Sequence, residues 1–371
     1  MKRLMRINVG VIVMALAMGT SACGGSDDKA GEKGGSEAKR KPKIALSNSY
    51  NGNFFRQTMV KSFEAAADGA KTDGLIAGST VVNADNTANG QLSQLQSLLV
   101  QDWDVITINA ASPTALNGAI QQACAKGTKV VAFSSLVTAD CAYKVSYDWE
   151  SHGRQQAEYI GKQLGGKGNV LEIRGISGTS VDDDIHRGTV EGFKQFPDIK
   201  IVGSVRGNWT KSVSQQAVAG ILPSLPQVDA VVTQGGDGTG AALAFKAANR
   251  PIPTIIMGNR GDELRLWKEL VDGGSYETIS LSAAPGVASI ALWVGYLLAI
   301  GEDVPKDIRV PLIPITTAEQ RDAWIGVTPP DGVAGPIYTL DFTKRLVAAV
   351  KGGAAPPNSP KPGDSDFKSP F

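Results

Sequence analysis

Three stretches of this chain hold residues whose types and spacing could do chemistry. Gly236-Asp237-Gly238-Thr239-Gly240-Ala241 fits a G-x-G-x-x-A dinucleotide turn, directly after an apolar strand pattern at 228–233 and before a helical one. A nicotinamide site also wants an acid closing the next strand, to hold a ribose hydroxyl. That strand ends Met257-Gly258-Asn259-Arg260, so the motif reads as a glycine-rich strand–helix turn lining a cleft. Asp182-Asp183-Asp184 with His186 could suggest a metal or acid–base cluster, but His152 is the only other histidine and metal sites draw further ligands from elsewhere. Acids in the first turn of a helix complement its dipole, and that is the reading adopted. Gly175-Ile176-Ser177-Gly178-Thr179 lacks the final glycine of a nucleophile elbow and has no evident partner histidine. No catalytic residue, metal or cofactor is assigned.

A fourth stretch suggests holding a molecule instead of reacting with it. Ile44-Ala45-Leu46 reads as a buried strand, Ser47-Asn48-Ser49-Tyr50-Asn51-Gly52-Asn53 as a polar turn, and Phe55, Met59, Phe63 and Ala67 as one face of a helix. Asn53 is the expected N-cap. Such a turn gathers side-chain amides, free backbone N–H groups and two aromatics, Phe54 and Phe55, at the carboxyl end of a strand, where open α/β sheets bind ligands. Trp209 stands in a matching turn farther along, either as a core lid or as a stacking platform for an apolar ligand face.

The elements that must position these residues repeat along the body of the chain. Strand patterns at 81–82, 105–108, 130–133, 170–173, 201–202, 228–232, 254–257 and 278–281 alternate with helical ones, which predicts parallel sheets covered on both faces. Two units are expected, with the region near 145–151 as a crossing. The apolar run 285–300 is too short for a membrane span and contains Gly295, so it reads as a buried core helix. Residues 307–315 form a further extended run, with Pro311 and Pro314 at an edge or crossing position.

The two ends lie outside that fold. Lys2, Arg3 and Arg6 precede an apolar stretch at 9–18, and Thr20-Ser21-Ala22-Cys23 resembles a bacterial lipobox. This predicts a signal peptide at 1–22, lipidation of Cys23, and a Gly-, Ser- and charge-rich tether at 23–42. Residues 351–371, rich in Pro, Gly, Ser and Lys, read as a disordered tail. With Cys23 set aside, Cys124 and Cys141 form an even pair in an exported chain, which invites a disulfide; two buried free thiols are the alternative. A formal net charge of +1 over 371 residues points to no nucleic-acid partner.

The lipobox, the strand–turn–helix with Asn-Phe-Phe, and Leu171-Glu172-Ile173-Arg174-Gly175-Ile176-Ser177-Gly178-Thr179-Ser180 together resemble the type I periplasmic sugar-binding proteins, the ribose- and galactose-type receptors of ABC importers. The resemblance covers roughly residues 42–313. It implies an α/β fold of two Rossmann-like lobes with parallel sheets joined by a three-strand hinge, with lobes at 43–147 plus 283–308 and 148–282 plus 309–345. It implies a ring of ligand contacts from Asn48, Phe54, Phe55, Ser134, Ser135, Arg187, Trp209, Gly235, Asn259 and Ser282. The ribose-type pattern has Asp-Arg at Ser134-Ser135, Asn at Gly235, Asp at Asn259 and Gln at Ser282. The shorter or uncharged residues here imply a roomier pocket, with Asp237 and Arg260 supplying polar contacts. The implied protein is an extracytoplasmic, lipid-anchored monomer that gives a sugar or polyol to an ABC permease and its ATPase. A sensory lipoprotein and an exported enzyme are the rival readings.

Overall fold

The computed structural model describes residues 40–371, so the expected signal peptide, Cys23 and nearly all of the tether lie outside the described residues. β1 (Lys43–Asn48) is buried from Ile44 onward. It leads through the polar turn to α1 (Phe54–Thr72), whose N-cap is Asn53; the Asn53 side-chain oxygen accepts from the Arg56 N–H at 2.9 Å. β2 (Gly78–Asn83), α2 (Ala88–Leu99), β3 (Val105–Asn109), α3 (Asn117–Ala125), β4 (Lys129–Phe133) and β5 (Tyr143–Ser146) follow, and their strands pair in parallel. Side chains of one strand serve two cores, as burial on both faces requires. Ile44 and Leu46 pack with Met59 and Phe63 of α1, while Ala45 packs on the other face with Leu95 and Ile120.

The chain then passes to a second sheet through α4 (Trp149–Gln163). β6 (Lys167–Arg174), α5 (Ser180–Phe193), β7 (Asp198–Arg206), α6 (Lys211–Ile221), β8 (Ala230–Thr233), α7 (Gly238–Ala247), β9 (Thr254–Ile255) and α8 (Gly261–Asp272) build a parallel sheet in the order β7-β6-β8-β9. After β10 (Ser280–Ser282) the chain returns to pack α9 (Val287–Ala299) against β3, β4 and α1. β11 (Asp307–Arg309) then completes the first sheet, in the order β11-β5-β4-β3-β1-β2. β12 (Ile313–Ile315) pairs antiparallel with β10, and α10 (Ala318–Val327) and α11 (Leu340–Lys351) close the chain. The two sheets are therefore linked by three connections, after β5, β10 and β11.

α9 is the expected core helix, buried on nearly every side, and no described helix is long and apolar enough to cross a membrane. The Cys124 and Cys141 sulfurs are bonded, with Cα atoms 6.4 Å apart, tying the end of α3 to the loop before β5. The strand expected at 254–257 is cut short. Its sheet pairing stops at Ile255, Met257 keeps only a bridge to Ser280, and Asn259 turns the chain at φ 59°.

Residues 351–371 are not a loose tail. The Ile337 N–H donates to the Lys368 carbonyl, and the Tyr338 and Ser359 hydroxyls are 2.7 Å apart. The Phe367 ring meets Trp324 edge-on at 5.6 Å. Composition hides such a segment because one aromatic contact, one hydroxyl pair and one backbone hydrogen bond to the body are enough to fix an extended run.

Candidate functional site

The carboxyl ends of both sheets open onto one cavity, the place where open α/β sheets bind ligands. From the first sheet's side it is lined by Asn53, Phe55 and Arg56 at the start of α1, Ser134 after β4, and Trp149 at the start of α4. From the second it is lined by Val181, Trp209, Gln234, Gly235, Gly236, Gly258 and Arg260, and from the connections by Ser282, Ala283 and Val333. Trp209 and Arg260 also line an outer recess with Phe54, where the Arg260 guanidinium lies 4.7 Å from the Phe54 ring centroid.

Each wall has a local cause. Trp209 is left-handed at φ 54°, unusual for a bulky residue, and its indole occupies the space where a Gly175 side chain would begin, 2.2 Å from a Cβ built there. Ser134 is left-handed as well, at φ 58°. Backbone strain of this kind persists where surrounding structure holds it, and it concentrates at binding sites. The Trp149 indole donates to Ser146 Oγ at 3.0 Å, which holds its ring against the cavity. Gln234 is locked by accepting from the Gly175 N–H and donating to Asp182.

Buried charge braces the second sheet's side. Glu263 accepts from the Gly238 N–H at 2.6 Å and the Gly258 N–H at 2.8 Å, joining the turns after β8 and β9. Burial pushes its carboxyl up, although the nearby Arg260 opposes this. Asp237 is pushed up well beyond the usual carboxylate range by burial and then by Glu263, against the pull of Arg260. Asp182 is fully buried and accepts from Arg174 and Arg206. Burial raises its carboxyl, and the two guanidinium groups more than reverse that. The acids near α5's start thus serve the fold, and no group of metal-ligating side chains occurs among the described residues.

Of the expected contacts, Phe55, Ser134, Trp209, Gly235, Arg260 and Ser282 line the cavity, and Phe54 lies at its outer recess. Arg187 does not. It is exposed on α5 and paired with Glu150 at 2.7 Å and with Asp184. The buried face of α5 runs Val181, Ile185, Gly188 and Gly192, and Arg187 lies off that line. Asn48 spends its amide on the Tyr50 carbonyl and on Asn83, and Asn259 on the Ile313 carbonyl and Ser280; neither lines the cavity. Ser135 and Asp237 are buried behind the lining. Sequence reasoning missed Arg56, Trp149, Gln234 and Glu263. A signal existed for Arg56, which sits in the first turn of an N-capped helix beside Phe55.

Two parallel sheets joined by three connections, with one amide- and aromatic-lined cavity at their carboxyl ends, define a two-lobed α/β ligand-binding protein. The model of the periplasmic binding protein domain matches residues 44–303, and the chain belongs to that family. It is 30% identical to a xylitol-binding protein of Mycolicibacterium smegmatis, over 66% of this chain and 69% of that protein. It is 25% identical to a ribose import binding protein of Bacillus subtilis, over 71% and 85%. Among solved structures, an ABC transporter solute binding protein of Thermobispora bispora superposes with a TM-score of 0.82 at 38% identity, over 87% of this chain and all of that one. These are binding proteins and not enzymes, and the family places the chain outside the cytoplasm.

Proposed function

We propose that this protein captures a sugar or sugar-like polyol between its two lobes and delivers it to an ABC permease with its ATPase. The observation that carries this is the lining itself, with Phe55, Trp149 and Trp209 beside Asn53, Arg56, Gln234, Arg260 and Ser282. A sugar leaves water only where its hydroxyls are matched, since each unpaired buried polar group costs about 1–3 kcal/mol. Aromatic faces cover its C–H surfaces. The named binding specificities of the xylitol and ribose relatives support the same class. The three connections act as the hinge of lobes at 43–147 plus 283–308 and 148–282 plus 309–345, and ligand shifts the equilibrium toward the closed form by its higher affinity for it. The chain works as a monomer held to the membrane through Cys23, so Cys23→Ser releases it to the soluble fraction.

The experiment is a thermal-shift screen of the full chain in detergent against pentoses, hexoses, polyols, disaccharides and nucleosides. A ligand at 100 times its Kd adds about 2.7 kcal/mol of stability. The expected result is a shift with one sugar or polyol class that is lost in Trp209→Ala and Arg260→Ala and kept in Arg187→Ala. A shift with nucleosides alone would refute the sugar assignment.

A further inference from the structure

The cavity is unbalanced in charge. Its lining holds two guanidinium groups, those of Arg56 and Arg260, and no carboxylate. Arg260 has local compensation. Its Nε lies 3.2 Å from Asp262 Oδ1, Glu263 lies in its field, and its Nη1 donates to the Gly236 carbonyl at 2.7 Å.

Arg56 has none of this. It is 5% exposed, its Nη1 meets no hydrogen-bond partner, and it forms no ion pair among the described residues. Burial lowers its pKa to about 10, which leaves it fully charged near neutrality. It also stands in the first turn of the 19-residue helix α1, a turn without any acid. There the dipole's positive end adds to its charge instead of offsetting it. A buried cation is tolerated when a counter-charge completes it, and the open side of Arg56 is the cavity.

We propose that the ligand is an acidic sugar or polyol, of the uronate or aldonate kind, whose carboxylate is received by Arg56. The inference rests on the receptor reading above and narrows its substrate class. A guanidinium fork takes a carboxylate through two parallel hydrogen bonds. One uncompensated cation calls for one negative charge, which favours a carboxylate over a phosphate dianion. The uncharged lining residues Asn53, Ser134 and Ser282 are left for hydroxyls, and Trp149 and Trp209 for the carbon skeleton.

The test is isothermal calorimetry on the full chain in detergent at pH 7. Acids are paired with neutral counterparts of the same skeleton, including D-galacturonate against D-galactose and D-gluconate against D-glucitol, within a wider panel of monosaccharides, polyols and sugar phosphates. Charge-assisted hydrogen bonds predict that the preferred acid binds about 10- to 100-fold tighter than its neutral counterpart. That preference should disappear in Arg56→Gln and persist in part in Arg56→Lys. If neutral members bind the wild-type chain as well as their acids do, this inference is overturned and the sugar receptor stands. Preference for a sugar phosphate refutes the single-charge assignment. Binding by no sugar, acidic or neutral, overturns both. The wild-type comparison decides even if an Arg56 variant fails to fold.

Discussion

His152 lies on the buried face of α4, which packs against β8 and β10, and its ring is fully buried. Its Nε2–H donates to the Leu281 carbonyl at 3.1 Å, in the middle of β10, which leaves Nδ1 to accept from Gln156 at 3.3 Å. Gln156 in turn donates to the Thr233 carbonyl at 2.7 Å, and Trp149 of the cavity wall meets the His152 ring edge-on at 6.2 Å. Burial lowers the imidazole from 6.5 to about 4, with the Leu281 bond opposing. A lowered histidine means that the unfolded chain binds a proton the folded chain refuses. Its contribution is therefore intact above pH 6.5 and lost as pH falls toward 4. At about 1.4 kcal/mol per pH unit the full effect is about 3 kcal/mol, of which about 2.5 kcal/mol falls between pH 7 and 4.5. Asp237 and Glu263 act in the opposite direction, because carboxyls raised in the fold take up protons on folding in the same acidic range. The wild-type stability curve alone would thus hide the histidine. The measurement is urea unfolding of wild type and His152→Gln at pH 7, 6, 5 and 4.5, followed by tryptophan fluorescence. The stability of wild type minus that of the variant should fall by about 2.5 kcal/mol across the series. A difference that stays constant with pH would refute the assignment of His152 as a buried neutral imidazole.

Two further outcomes follow from packing and covalent closure. Gly188→Ala should destabilise the chain by about 1–3 kcal/mol in urea unfolding, because α4 and α5 touch there. A Cβ at 188 would lie 2.0 Å from the Glu150 carbonyl oxygen, and unchanged stability would mean that these helices part easily. Cys124→Ser with Cys141→Ser should cost about 3 kcal/mol, from loop closure over a separation of 17 residues, read as a lower melting temperature that dithiothreitol reproduces in wild type.

Much of the architecture was legible because it is local. The Ile44–Leu46 run, the Asn53 cap and the Met59/Phe63/Ala67 face lie within one stretch of chain, and each decides its own element. The same holds for α9, whose all-round apolar sequence matches its place between the first sheet and α1. The lining was legible where strand ends and the turns after them face the cavity, as at Ser134, Trp209, Gly235 and Ser282, and at the start of α1, as at Phe55. It was misread where a polar residue's partner is distant in sequence. The Asn48 NH2 group donates to Asn83 and the Asn259 NH2 group to the carbonyl of Ile313; no pattern around either residue announces that. Arg187 and Arg56 show the remaining difficulty. Both are arginines on amphipathic helices, and a rotation of about 100° per residue decides which one meets solvent.

The strand order also dictates when the first lobe can be finished. β5 is paired on its outer edge only by β11, where Lys144 faces Asp307, about 160 positions later in the chain. α9, which covers β3 and β4, arrives only slightly earlier. A chain emerging slowly from the ribosome would therefore hold an incomplete sheet with an exposed edge until most of it had been made, and exposed edges invite mispairing. A chain carried across a membrane before folding has every strand available at once. The interleaving of the lobes thus suits a protein whose folding is postponed until synthesis is complete.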